Sequence, residues 1–267
     1  MITKSDLAES VVELAQLDYH IRSGPRKKTI ERKLREEGFE PAFDKDGNLC
    51  YMKGEGEPRT MFTSHYDNYV SDVSKFHAEI IEYEGATGIR GYLDNAVGVA
   101  ENMELIKRVK PRGTRCNIFT NEEENYRGCS PKYGIEKVCD ELEFMGFIPD
   151  LAIALDVDTY KNSHTNNAVV YAENFSSKIL AKMMEEFFSE KNFHSIKVIN
   201  EKSKDEAIPL GERYAAFSLC PAIEGEMHGL NIVNVNSLKA STQALEAILN
   251  SPEFIKKAAN EDKKARK

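Results

Sequence analysis

No run of the sequence approaches the ~18 consecutive apolar residues of a membrane-spanning helix. The opening Met1-Ile2-Thr3-Lys4-Ser5-Asp6 lacks the basic-then-apolar pattern of a secretory signal. Paired cysteines are missing too. The five present, Cys50, Cys116, Cys129, Cys139 and Cys220, form an odd set with no Cys-x-x-Cys, and a chain of 267 residues needs no disulfide to hold a core. They read as reduced thiols, and the expected location is the cytoplasm, where the Asn174-Phe175-Ser176 sequon stays idle. A basic excess is also absent. The net charge of -8 and pI near 5.4 exclude a nucleic-acid scaffold, because phosphate binding needs clustered Lys and Arg. The basic end Lys263-Lys264-Ala265-Arg266-Lys267 reads as a solvated tail. No internal repeat, low-complexity segment or linker is visible.

What is present is 41% hydrophobic content, enough for a real core, arranged as strands alternating with helices. Ser5-Asp6 caps a helix through about His20, and a second runs from Pro25 to Glu37, between Gly24 and Gly38. Asp44 to Asn48 is a turn signal, and the runs Leu49 to Met52 and Thr60 to Ser64 read as paired strands. His77 to Glu84 and Gly85 to Gly91 suggest a strand, turn and return. A helix follows Asp94 to about Val109, and strands are expected over Thr114 to Thr120 and Leu151 to Leu155. The remainder reads as a strand at Ala168 to Ala172, a helix at Ser176 to Lys191, a strand at Ser195 to Ile199 and an apolar run at Ala215 to Ile223. Two closing helices span Ser237 to Leu249 and Pro252 to Asn260. This alternation predicts one α/β domain.

Chemistry-bearing residues fall at the ends of these strands. In an extended strand, His65 and Asp67 share a face, so the carboxylate can accept from one ring nitrogen and leave the other for a metal. Asp94 stands at the mouth of a helix, as a ligand or as a plain N-cap. Asn121-Glu122-Glu123-Glu124 follows a strand directly, and three adjacent carboxylates repel unless a cation or solvent relieves them. Asp156 ends an apolar run where open α/β sheets place their ligands, with Asp158 two residues on as a weaker candidate. Glu226-Met227-His228-Gly229 closes the next strand. His20, His77, His164 and His194 lie outside these motifs and need no special role. Tyr66, Tyr69 and Tyr126 flank the motifs, as pocket walls or as packing.

The ordered set Thr63-Ser64-His65-Tyr66-Asp67, Leu93-Asp94-Asn95-Ala96-Val97-Gly98, Asn121-Glu122-Glu123 with Gly128, Ile153-Ala154-Leu155-Asp156 and Met227-His228-Gly229 resembles the co-catalytic dinuclear zinc exopeptidases. These include leucyl-type and glutamyl-type aminopeptidases and related deacylases. The resemblance spans roughly residues 58 to 249. It implies a three-layer α/β/α sandwich with a central mixed, mostly parallel sheet. It also implies two divalent ions, zinc with cobalt or manganese as substitutes, bridged by Asp94. His65 and Asp156 would complete one site, Glu123 and His228 the other. Glu122 would be the general base toward the bridging water and Asp67 would fix the His65 tautomer. A register shifted by one, to Glu123 and Glu124, stays open. The family's non-proline cis peptide is expected at Asp94-Asn95.

Only 29 positions separate His65 from Asp94 and 72 separate Asp156 from His228, leaving no room for the large lid or dimerisation domain of many relatives. Residues 1–267 are therefore expected to form one bare catalytic domain with a hairpin at about 70 to 90. Several relatives carry an acidic residue shortly after the last His, where this chain has Ile232. The expected substrate is a peptide or amino-acid amide, with no nucleic-acid or membrane partner; the oligomeric state is left open. A deacylase of N-acyl amino acids is the first alternative, with Arg90, Arg127 or Arg213 gripping the substrate carboxylate. A silent binding protein of the same fold is the second.

Overall fold

The computed structural model describes residues 4–17, 24–67, 77–83, 85–121, 132–159, 168–199, 206–225 and 229–266. The chain opens with helices α1 (Lys4–Ala15) and α2 (Pro25–Glu36), then strands β1 (Phe43–Lys45), β2 (Asn48–Lys53), β3 (Arg59–His65), β4 (Glu79–Tyr83) and β5 (Ala86–Gly91). Helix α3 (Ala96–Arg108) leads to β6 (Thr114–Thr120), and α4 (Lys132–Phe144) to β7 (Leu151–Leu155), β8 (Asp158–Thr159) and β9 (Val170–Glu173). Next come α5 (Lys178–Glu190), β10 (Ile196–Val198), α6 (Ala207–Arg213), β11 (Ala216–Gly225), β12 (Asn231–Asn234), α7 (Val235–Leu249) and α8 (Pro252–Ala265).

The strands form a mixed sheet in the order β1-β2-β6-β3-β7-β11-β12-β5-β4, with β8 and β9 joining β11 and β10 joining β9. Its centre, β6-β3-β7-β11, is parallel, and both of its faces are covered by helices. On one face, Phe62, Leu151, Ile153, Phe217 and Leu219 pack against α3, α5, α7 and α8. On the other, Met61, Cys116, Ile118, Ala152 and Ala216 meet Ile135, Val138 and Leu142 of α4 and Leu210 of α6. This is the expected α/β/α layering.

The closing helix runs on to Ala265, through residues expected as a solvated tail, and one pairing expectation fails. The runs around Leu49–Met52 and Thr60–Ser64 do not pair with each other, because β6 lies between them, antiparallel to β2 and parallel to β3. Both runs are buried on two faces, and such runs specify burial without specifying a neighbour. Pro221 inside β11 has a local reason. Ala222 donates to the carbonyl of Val169, the residue before β9, so the preceding nitrogen turns the other way, toward the gap between β7 and β8 where no donor is demanded. Among the described residues no helix is long and apolar enough to cross a membrane. Cys50, Cys116, Cys139 and Cys220 are buried free thiols, and Cys129 lies outside the described residues.

Candidate metal centre

Parallel neighbours bring their carboxyl ends to one edge of the sheet, and register decides what meets there. Thr63 is level with Ala154, and His65 with Thr120. The side chain two residues past Ala154, Asp156, therefore arrives beside His65. Helix α3 starts at the same edge. Its N-cap is Asn95, whose side-chain oxygen accepts from the Gly98 nitrogen at 2.8 Å. The capping duty thus falls on Asn95, and Asp94 is not the cap. The Asp94-Asn95 peptide is cis, at the bond expected from the resemblance.

His65 Nε2 lies 3.3 Å from Asp94 Oδ1 and 3.6 Å from Asp156 Oδ1. His65 and Asp94 are each 4% exposed. Asp67 departs from the extended-strand expectation. Strand β3 ends at His65, so the residue two further on is no longer held on the same face. The ring Nδ1 faces the Asp67 backbone carbonyl at 3.2 Å, while the carboxylate stands 3.9 Å away. Nδ1–H donating to that carbonyl leaves the Nε2 lone pair directed at the two aspartates. Burial alone would lower the imidazole pKa, but the carboxylates of Asp156 and Asp94 outweigh it and hold the group well above its usual value.

The donor set fits a divalent cation. One ligand atom from each of His65, Asp94 and Asp156 lies within 4.8 Å of the others. Two carboxylates and an imidazole in a largely buried cluster are the oxygen and nitrogen donors that zinc-like ions take. A further acid, Asp67, is buried beside the cluster, 1% exposed. A bound cation would offset the cost of burying these like charges.

Glu122, Glu123 and His228 lie outside the described residues, as do Glu124, Tyr69, Tyr126, Arg127, His20 and His164. Of the remaining sequence candidates, Tyr66 is buried and its hydroxyl donates to the Gly47 carbonyl at 2.6 Å, so it packs and does not line an open pocket. His77 and His194 are exposed. The Asp158 carboxylate accepts from the Thr159 nitrogen at 2.7 Å. Arg90 is engaged by Glu79, and Arg213 by Asp140 and Glu143. Sequence reasoning missed two residues of the surroundings: Asn95, whose capping pattern was available but was credited to its neighbour, and the buried acid Glu206, which no motif marks.

No family model matches the chain, and no curated protein does. Solved structures do match. A TET aminopeptidase from a marine-sediment archaeon of the Thaumarchaeota superposes with a TM-score of 0.75 at 11% identity, covering 96% of this chain and 100% of its own. The Pyrococcus horikoshii TET1 peptidase, which can assemble into a tetrahedron or a large octahedral shell, gives 0.69 at 16% identity over 91% and 99%. An M18-family aminopeptidase from Thermotoga maritima gives 0.63 at 11% over 92% and 96%. The chain therefore has the fold of these aminopeptidases.

Proposed function

We propose that the chain is a metal-dependent amide hydrolase, an aminopeptidase acting on peptides or amino-acid amides. In this reading His65, Asp94 and Asp156 hold one zinc ion, and Asp94, Glu123 and His228 hold a second. The observation that supports it is the convergence of His65, Asp94 and Asp156 at the carboxyl edge of a parallel sheet. Ions bound there supply Lewis acidity, polarising a carbonyl and making water a competent nucleophile near neutral pH.

The side chains do the rest. Asp94, which offers two carboxylate oxygens at the helix mouth, would serve both positions. Asp67 holds the His65 ring through its backbone carbonyl, fixing which nitrogen faces the cluster. Glu122 takes the proton from the attacking water and returns it to the leaving amine. The surplus carboxylate charge receives the substrate's free ammonium group. Arg90 and Arg213, two of the three candidate cations for gripping a substrate carboxylate in a deacylase, are engaged by acidic partners, and Arg127 lies outside the described residues. Residues 1–267 act in this proposal as one catalytic domain without an inserted lid.

The test is metal content by elemental analysis after dialysis against zinc, with hydrolysis of aminoacyl amides and N-acyl amino acids measured on the same samples. Wild type should hold about two equivalents and cleave the amides, His65→Ala should hold fewer, and Glu122→Gln should load fully without turnover. Folded wild type without metal would overturn the reading. Cleavage confined to N-acyl amino acids would transfer it to the deacylase.

A further inference from the structure

Beside the ligand cluster lies a further buried acid. Glu206 precedes α6 and is 3% exposed. Its carboxyl makes no cap hydrogen bond to its own helix. Instead it accepts a short hydrogen bond from the hydroxyl of Thr120, the last residue of β6. Thr120 is level with His65 in the β3–β6 register, and its carbonyl accepts from the Tyr66 nitrogen at 2.9 Å. Thr63 stands two residues before His65 on the same strand face. Its hydroxyl is buried without a hydrogen-bond partner of good geometry among the described residues, and it lies close enough to influence Glu206. Burial raises the Glu206 pKa most; the Thr120 and Thr63 hydroxyls and His65 oppose it, while Asp156 adds to it. Burying a carboxyl costs free energy unless its oxygens are engaged. The engaged partners here are strand exits of the candidate site.

We infer that Glu206 is a positioning residue for the metal centre, its carboxyl fastening the exits of β3 and β6 through Thr120 and so setting the His65 ring against Asp94 and Asp156. This rests on the metal reading above. Asn121, which follows Thr120, leads in sequence to Glu122 and Glu123.

The experiment compares wild type with Glu206→Ala, Glu206→Gln and Thr120→Val. It reads zinc affinity by competition with a chromophoric chelator, the visible spectrum of the cobalt-loaded protein, and the metal-free thermal midpoint. Glu206→Ala should weaken zinc binding about 10- to 100-fold and alter the cobalt bands. Glu206→Gln, which keeps an acceptor for Thr120, should restore both toward wild type. Thr120→Val, close in shape, should reproduce the alanine defect and carries the test if Glu206→Ala does not fold. Wild-type affinity and spectrum in Glu206→Ala, even with a lowered midpoint, would overturn the inference and leave the metal reading standing. A glutamine variant as defective as alanine would also overturn it. Absence of zinc binding by wild type would remove both.

Discussion

The side-chain amide of Asn95 donates to the Leu155 carbonyl at 2.7 Å, so the residue after Asp94 is tied to the residue before Asp156. With its oxygen capping α3, one side chain holds the two aspartates in relation to each other. Asn95→Ala loses the cap and the tie, at a cost of about 1–3 kcal/mol. Asn95→Asp keeps the cap acceptor but turns a second oxygen toward the Leu155 carbonyl, and the repulsion should make it at least as damaging. Urea unfolding followed by elemental analysis checks this: both variants should lose stability and zinc. A wild-type midpoint in Asn95→Ala would refute the tie.

Gly98→Ala sets two effects against each other. Alanine is favoured over glycine inside a helix by about 1 kcal/mol. At this position, however, a Cβ would stand 2.2 Å from the Leu155 carbonyl oxygen, a backbone atom that does not swing aside. Sterics should win, with net destabilisation of about 1–3 kcal/mol, the scale of overpacking in a core. Chemical denaturation measures the sign directly, and a stabilised variant would show that α3 does not approach β7 this closely.

Legibility followed the same division between local and non-local information. The strands over Thr114–Thr120 and Leu151–Leu155 were readable to the residue, because a short apolar run between polar turns carries its own limits. Pairing was not readable: β2 and β3 are separated by a strand that arrives only after α3, and nothing in either run announces it. His65, Asp94 and Asp156 were found because their motifs are local, and the register then brings them together. Glu206 was invisible because its significance lies in Thr120, 86 residues away in the chain, and one glutamate before a short helix has no signature. Helix α4 carries its signal in Ile135, Val138, Cys139 and Leu142 at helical spacing.

Gly47→Ala probes how the β1–β2 turn supports the site from outside it. Asp46 and Gly47 have φ of 52° and 84°, the consecutive positive values of a tight hairpin turn. The turn touches both neighbouring strand exits: the Tyr66 hydroxyl donates to Gly47, and the Asn121 amide donates to the Asp46 carbonyl at 3.3 Å. A Cβ at Gly47 would stand 2.7 Å from Asn121 Nδ2. The left-handed backbone costs an alanine about 1–2 kcal/mol, and the contact pushes on the residue just before Glu122. Turnover of an aminoacyl amide and zinc content should therefore fall together. Wild-type values of both would show that the turn does not bear on the site.

Glu101→Gln should change the pH dependence of stability. Glu101 sits on α3 with no exposed surface; one oxygen accepts from the Ser241 hydroxyl of α7 at 3.2 Å, and the other has no hydrogen-bond partner among the described residues. Burial raises its pKa well above the ordinary 4.5, more than the Ser241 hydrogen bond lowers it. The folded protein therefore holds the acid protonated at pH values where the unfolded chain ionises it. The stability contributed by this group is fully present below about 4.5 and is lost as pH rises through the interval up to the folded-state value, by at most about 1.4 kcal/mol per pH unit. Glutamine has no proton to lose, so the variant should gain on wild type progressively from pH 5 toward pH 8. Unfolding midpoints measured across that range decide it. A difference between variant and wild type that stays constant with pH would mean that Glu101 ionises in the folded state much as it does in the unfolded chain, and that the α3–α7 interface is wetter than its packing implies.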